Sequence, residues 1–155
     1  MHPGGCHTSM KPITNKALFY FLNFTWGLPL NIGGLLVCLI MLLTGHKPHR
    51  WGPCIYFNAG RHWGGAEWGV FFVTDKEDSI HVKNHEMGHA MQNCYFGPLM
   101  PFLICIPSVI RYWSRRFQEK TKHPPRKGYD AIWFEGSATR LGMRYWKALA
   151  ETKRA

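Results

Sequence analysis

Two histidines and a glutamate define the chemistry open to this chain. His85, Glu86 and His89 lie in S-I-H-V-K-N-H-E-M-G-H-A-M-Q, from Ser79 to Gln92, and spell H-E-x-x-H, a zinc-site motif. On an α-helix, residues four apart share a face, so two imidazoles can take two corners of one tetrahedral zinc ion. Glu86 lies about 100° around the helix from His85, near enough to take a proton from water at the metal without ligating it. Nine histidines in 155 residues raise the chance of meeting the pattern by composition alone. Its setting argues against accident. Asp78 and Ser79 offer a helix N-cap, Gly88 and Ala90 admit close backbone neighbours, and the residues before them read as a strand.

A catalytic zinc takes three protein ligands and keeps a fourth position for water. Beyond His89 the acidic residues are Glu119, Asp130, Glu135 and Glu151, and the one histidine is His123. Glu135 stands in the apolar helical stretch Y-D-A-I-W-F-E-G-S-A-T-R-L-G, where an ionised carboxylate is costly to bury without a cation. A metal ion would be that cation. The competing reading puts Glu135 on a wet face, paired with Arg140 or Arg144. His81, one turn before His85, is a rival ligand. Three histidines on successive turns do not easily converge on one tetrahedral ion, so His81 is expected to cap or solvate the helix start. His62 reads as a surface residue, and His2, Cys6 and His7 belong to a loose tail. The five cysteines, Cys6, Cys38, Cys54, Cys94 and Cys105, are odd in number, scattered and without C-x-x-C. They support neither a disulfide framework nor a thiolate zinc site.

These residues need elements to position them. The length suits one domain, and 46% hydrophobic content suffices for a core. Residues 1–16 are polar, with Gly4, Gly5 and Pro12, and read as a flexible N-terminal tail. From Ala17 to Thr44 there are 28 residues without a formal charge, which meets the criterion for a transmembrane helix. Asn23, Pro29 and Asn31 interrupt the run, so its continuous helix starts near Leu28 and is short against the roughly 20 residues of a full span. An uncleaved transmembrane or membrane-associated helix over 17–44 is expected, since no small-x-small cleavage site follows Thr44; a buried core helix is the rival. Residues 45–155 are expected to form the metal-binding domain.

Within that domain, C-I-Y-F-N and E-W-G-V-F-F-V-T read as a β-hairpin around a glycine-rich loop. Trp68 to Thr74 is a candidate edge for docking an extended substrate. The apolar run 95–110 is broken by Pro98, Pro101 and Pro107, which predicts a re-entrant or interfacial hairpin. Asp130 to Lys153 reads as an amphipathic helix carrying Glu135. Tyr129, just before it, could polarise a substrate carbonyl. The net charge of +10 suits nucleic acid or an anionic membrane. Arg111, Arg115, Arg116, Lys120, Lys122, Arg126 and Lys127, with Tyr112 and Trp113 among them, come directly after the apolar run, which favours an anionic cytoplasmic leaflet. Nucleic-acid binding would leave the adjacent apolar runs unexplained.

His85-Glu86-Met87-Gly88-His89 followed by Glu135-Gly136-Ser137-Ala138 resembles the gluzincin pattern, H-E-x-x-H with a downstream E-x-x-A. The resemblance places Glu135 as third ligand. Membrane gluzincins related to HtpX and the CAAX prenyl proteases carry E-x-x-A-D there, and this chain has Thr139 at the Asp position. The order Leu28 to Leu36, His85 to Gln92, Gly97 to Leu99, Ile106 to Ser108 and Glu135 is also similar to a group of small bacterial membrane proteins. The expected architecture is an α+β, mainly helical, minimal zincin-like domain with a small β-hairpin and one or two membrane-associated apolar segments. Its expected function is a zinc metallopeptidase at the bacterial inner membrane, its catalytic part facing the cytoplasm. His85, His89 and Glu135 would hold the metal, Glu86 would act as general base, and a peptide or protein would be substrate. Two rivals stand beside it: a structural or regulatory metal site without turnover, closed by a fourth protein ligand such as His81, and a metal-dependent hydrolase of a non-peptide amide.

Overall fold

A computed structural model describes residues 10–121 and 131–154. The class is α+β. Five helices, α1 (Lys16–Phe24), α2 (Leu28–Leu43), α3 (Ile80–Phe96), α4 (Ile106–Lys120) and α5 (Trp133–Thr152), accompany four strands, β1 (His49–Trp51), β2 (Cys54–Asn58), β3 (Gly65–Trp68) and β4 (Phe71–Thr74).

The uncharged stretch expected as one membrane helix over 17–44 is two helices meeting at a 94° bend. Among the described residues no single helix is long and apolar enough to cross a membrane. The bend falls where polar residues interrupt the apolar run, and they are its fastening. Asn31 donates to the carbonyls of Asn23 (2.9 Å) and Gly27 (3.0 Å) and accepts from the Val70 N–H (2.8 Å). Asn93 of α3 donates to Asn23 Oδ1 (2.8 Å) and to the Gly27 carbonyl (3.1 Å). All three asparagines are fully buried, and Pro29 occupies the first turn of α2, where its missing N–H costs nothing. Asn31→Ala is expected to leave the Val70 N–H without an acceptor and lower stability by about 2 kcal/mol, read from the urea midpoint. A midpoint unchanged from wild type would mean that the asparagines do not fasten the elbow.

The strands correct the expected hairpin. The second apolar run breaks at Gly69 and Val70, and its halves, β3 and β4, form their own antiparallel hairpin. Gly69 has φ +73° and leads a two-residue loop of the kind that matches strand twist. β4 then returns beside β2 in parallel, Ile55 opposite Phe71 through Asn58 opposite Thr74, and β1 pairs antiparallel with β2. The sheet order is β1-β2-β4-β3.

Alternation assigns the faces of the sheet. A Cβ on Gly34 of α2 would meet the Trp68 carbonyl at 2.3 Å and the Phe71 ring at 2.8 Å, so α2 covers the face of Phe71 and Trp68. A Cβ on Gly65 would meet Glu86 Oε1 at 2.5 Å, so α3 covers the opposite face, with Gly65, Glu67, Tyr56 and Phe72. Tyr56 and Phe72 stack there at 5.2 Å and join Met87, Met91 and Tyr145 in the main core.

α3 packs most extensively against α5. Asn84 lies against Gly142, Gly88 against Ala138 and Gln92 against Phe134, so the helices run antiparallel. Beyond α3 the apolar stretch 95–110, expected as a re-entrant or interfacial hairpin, is a sharp bend between helical segments. Short 3₁₀ (Gly97–Leu99) and π (Pro101–Cys105) turns lead into α4, and the path bends by 115°. Pro98, Pro101 and Pro107 each sit in the first turn of their element, so each begins a new helical segment across the bend. α4 continues through Arg111, Arg115 and Arg116 to Lys120.

Candidate metal centre

The antiparallel pairing of α3 and α5 brings the expected ligands together. His85 Nε2 lies 3.0 Å from Glu135 Oε2, His89 Nε2 lies 3.2 Å from the same oxygen, and the two Nε2 atoms are 3.1 Å apart. All three residues are buried, and Glu135 is 0% exposed. This is the one group of three or more His, Cys, Asp or Glu donors so close together among the described residues, and it can hold a metal ion. Tetrahedral bonds of roughly 2.0–2.1 Å separate ligand atoms by about 3.3 Å. The triangle therefore fits a small divalent cation, and its two nitrogens and one carboxylate oxygen suit zinc among others. Glu135 Oε1 is buried without a hydrogen-bond partner, and the residue's ion pairs run to the histidines rather than to Arg140 or Arg144, both exposed.

Both imidazoles are fixed from behind. His85 Nδ1 lies 2.8 Å from the Thr139 hydroxyl, whose own proton points to the Glu135 carbonyl at 3.4 Å. When Nε2 faces a metal ion, Nδ1 keeps the proton, and the hydroxyl is placed to accept it. Thr139 thus offers His85 a support that carries no charge. His89 Nδ1 lies 2.7 Å from Gln92 Oε1. The Gln92 amide is oriented by donating to the Phe134 carbonyl (2.8 Å) and to Ser137 Oγ (2.6 Å). Such supports select the tautomer and aim the ligand. Gln92 was within reach of sequence reasoning, since three residues on from His89 is a helix-surface neighbour.

The charges follow from burial and proximity. Burial favours the neutral form of Glu135, but hydrogen bonds from His85 and His89 outweigh it and hold the carboxyl well below the usual carboxylate range. Burial likewise disfavours the His89 cation. The Glu135 hydrogen bond and the charges of Glu86, Glu135 and Glu67 reverse that effect and push it up to about 9. Glu86 is raised by burial and by Glu135, against the pull of both histidines.

The centre opens on a cleft of about 930 Å³ lined by Gly64 to Trp68, by α3 and by α4. Because β3 is an outer strand of the sheet, its edge runs along this cleft past Glu86. The expected docking edge, Trp68 to Thr74, is corrected accordingly. β4 is paired on both sides, and among the described residues the outer strand that lines the cleft is Gly65–Trp68. Glu67 projects from that strand on the α3 face, and burial with the nearby Glu86 charge raises it to about 8. Neither Glu67 nor the gap left by Gly65 carried a signal in the sequence.

His81 lines the cleft and stacks on His85 at 6.5 Å but lies outside the converging donors. His62 is exposed at the rim and paired with Glu77. Tyr129, His123, Lys122, Arg126 and Lys127 lie outside the described residues. No family model, curated protein or solved structure matches the chain, so the reading of this centre rests on its own geometry.

Proposed function

We propose that the chain is a zinc-dependent peptidase. The observation that supports this best is the convergence of His85, His89 and Glu135, with each Nδ1 held by a hydrogen-bond partner, at the wall of an open cleft beside a general-base candidate. A zinc ion held by those three residues would polarise a scissile carbonyl and acidify water. Glu86, adjacent but outside the donor triangle, takes the proton from water and returns it to the leaving amine. An extended peptide adding to the outer edge of β3 would run along the cleft, its backbone held by strand hydrogen bonds past Glu86. A structural site is closed by a fourth protein donor, and His81, its candidate, stands outside the group.

Glu86→Gln removes the base while keeping size and ligands. It is expected to retain wild-type zinc content and lose at least about a hundredfold in turnover of a fluorogenic peptide library. Cleavage at the wild-type rate by this variant would eliminate the mechanism. Peptide inertness of the wild type, alongside cleavage of an N-acylated sugar or lipid amide, would move the substrate class instead.

A further inference from the structure

We infer that the outer faces of α2 and α4, with the bend between α3 and α4, dock onto an anionic lipid leaflet from one side without crossing it.

α4 contributes no residue to the core. Its apolar residues Ile106, Val109, Ile110, Trp113 and Phe117 are 50, 55, 64, 66 and 69% exposed. Their spacing of three, four, seven and eleven puts them on one stripe of the helix. Just before it, Leu99, Phe102 and Leu103 are also exposed. α2 repeats the arrangement. Asn31 and Gly34 are buried, while Ile32, Leu35, Leu36, Leu39, Ile40 and Leu43 face outward. Leu30 packs into the cluster with Ile104 and Cys105, so α2 adjoins the bend. A surface of this apolar extent is far larger than scattered exposed leucines would give and calls for an occupant.

Geometry and charge select the occupant. α2 has 16 residues, about 24 Å of helix against a hydrocarbon core of about 30 Å, and the two bent pairs turn by 94° and 115°. Such legs lie along an interface more readily than across it. The residues flanking the apolar pieces are basic: Lys16 opens α1, Lys47 follows α2, and Arg116 and Lys120 stand three residues after Trp113 and Phe117. An amphipathic helix with a tryptophan in its apolar stripe and cations along the stripe's border is the interfacial type. A second copy of the chain would cover the stripe equally well but would set a net charge of +10 against itself, whereas anionic headgroups neutralise it. Val109, Tyr112 and Trp113 of the same helix line the cleft. Docking through α4 therefore places the cleft mouth at headgroup level.

Flotation of the full-length protein with preformed vesicles tests this, in phosphatidylcholine alone and in equal parts phosphatidylcholine and phosphatidylglycerol. Wild type is expected to float with the anionic vesicles at least tenfold more than with the neutral ones and to be released by alkaline carbonate. Trp113→Ser with Phe117→Ser, which removes no core side chain, should lose at least tenfold of that partitioning while keeping the wild-type urea midpoint. Failure of wild type to float, or undiminished flotation of the double variant, overturns the proposal. So does a dimer by light scattering that ignores vesicles, because a second copy then covers the face. Retention after carbonate overturns one-sided docking in favour of a span. None of these readouts depends on the metal or on turnover.

Discussion

Purified wild-type protein is expected to carry one zinc per chain, retained in Glu86→Gln and lost from His85→Ala, His89→Ala and Glu135→Ala, as read by elemental mass spectrometry. Removing one of three donors breaks the first coordination sphere. Its effect should exceed the roughly 10- to 100-fold loss typical of an outer support such as Thr139 or Gln92. Acidity gives a second, independent signature. In the metal-free centre His89 is held as a cation up to about 9, chiefly because the Glu135 hydrogen bond and nearby carboxylates outweigh burial. A metal must displace that proton, so its affinity should rise about tenfold per pH unit until pH approaches 9. The metal-free fold responds oppositely. A raised histidine stabilises fully below its ordinary value of 6.5, and this is lost as pH climbs through about 9. Glu135, held below its ordinary 4.5, stabilises above that value and ceases to as pH falls through its lowered one. Glu67, raised to about 8, and Glu86, also raised, cost stability as pH climbs above their ordinary 4.5. Chelated protein should accordingly be most stable near pH 4.5 and weaken as pH rises, and chelation should lower the melting temperature more at pH 8.5 than at pH 6. A wild type that never takes up metal, with a melting temperature indifferent to chelator, would sink the metal reading.

What could be read from the sequence was local or was forced by energetics. The His85–His89 spacing is four residues on one helix, which needs no tertiary knowledge. Glu135 stood out because a lone acid in an apolar helix needs a cation, and the fold supplies the site for one by antiparallel packing of α3 on α5. Asn23, Pro29 and Asn31 correctly marked the place where the uncharged run stops being one helix. Their role as a buried fastening was hidden, since its partners lie far along the chain, Val70 39 residues beyond Asn31 and Asn93 70 beyond Asn23. The hairpin was misread for a related reason. The Gly69-Val70 turn lies inside a continuous apolar run, and the parallel partner of β4 is separated from it by the whole of β3. Misreading that pairing also displaced the docking edge, because the strand that looked central to the run was the one paired on both sides. In the sequence Thr139 is a plain departure from the E-x-x-A-D pattern. In place its hydroxyl lies 2.8 Å from His85 Nδ1, where it can hold the ring without adding a charge.

Two alanine substitutions at glycines should fail in opposite ways, and the contrast tests the site against the fold. At Gly88 a Cβ would lie 1.9 Å from the Ala138 carbonyl oxygen, and both partners are backbone or buried in the α3–α5 contact. Neither helix can yield without parting from the other, so Gly88→Ala is expected to cost about 3 kcal/mol or more and to lower soluble yield and metal content together. At Gly65 the obstacle is a side chain: the new Cβ would meet Glu86 Oε1 at 2.5 Å and Cγ at 2.8 Å. The carboxylate is 5% exposed but can rotate away, so the sheet and the donor triangle should survive. Gly65→Ala is therefore expected to keep zinc and the wild-type urea midpoint while kcat falls at least about a hundredfold, the range for a misplaced general base. Should kcat hold and KM alone rise, the methyl would be obstructing substrate on the β3 edge, and Glu86 would be working from a different position. Wild-type values of both constants would remove Glu86 from the chemistry, since nothing else in the cleft comes so close to the added carbon.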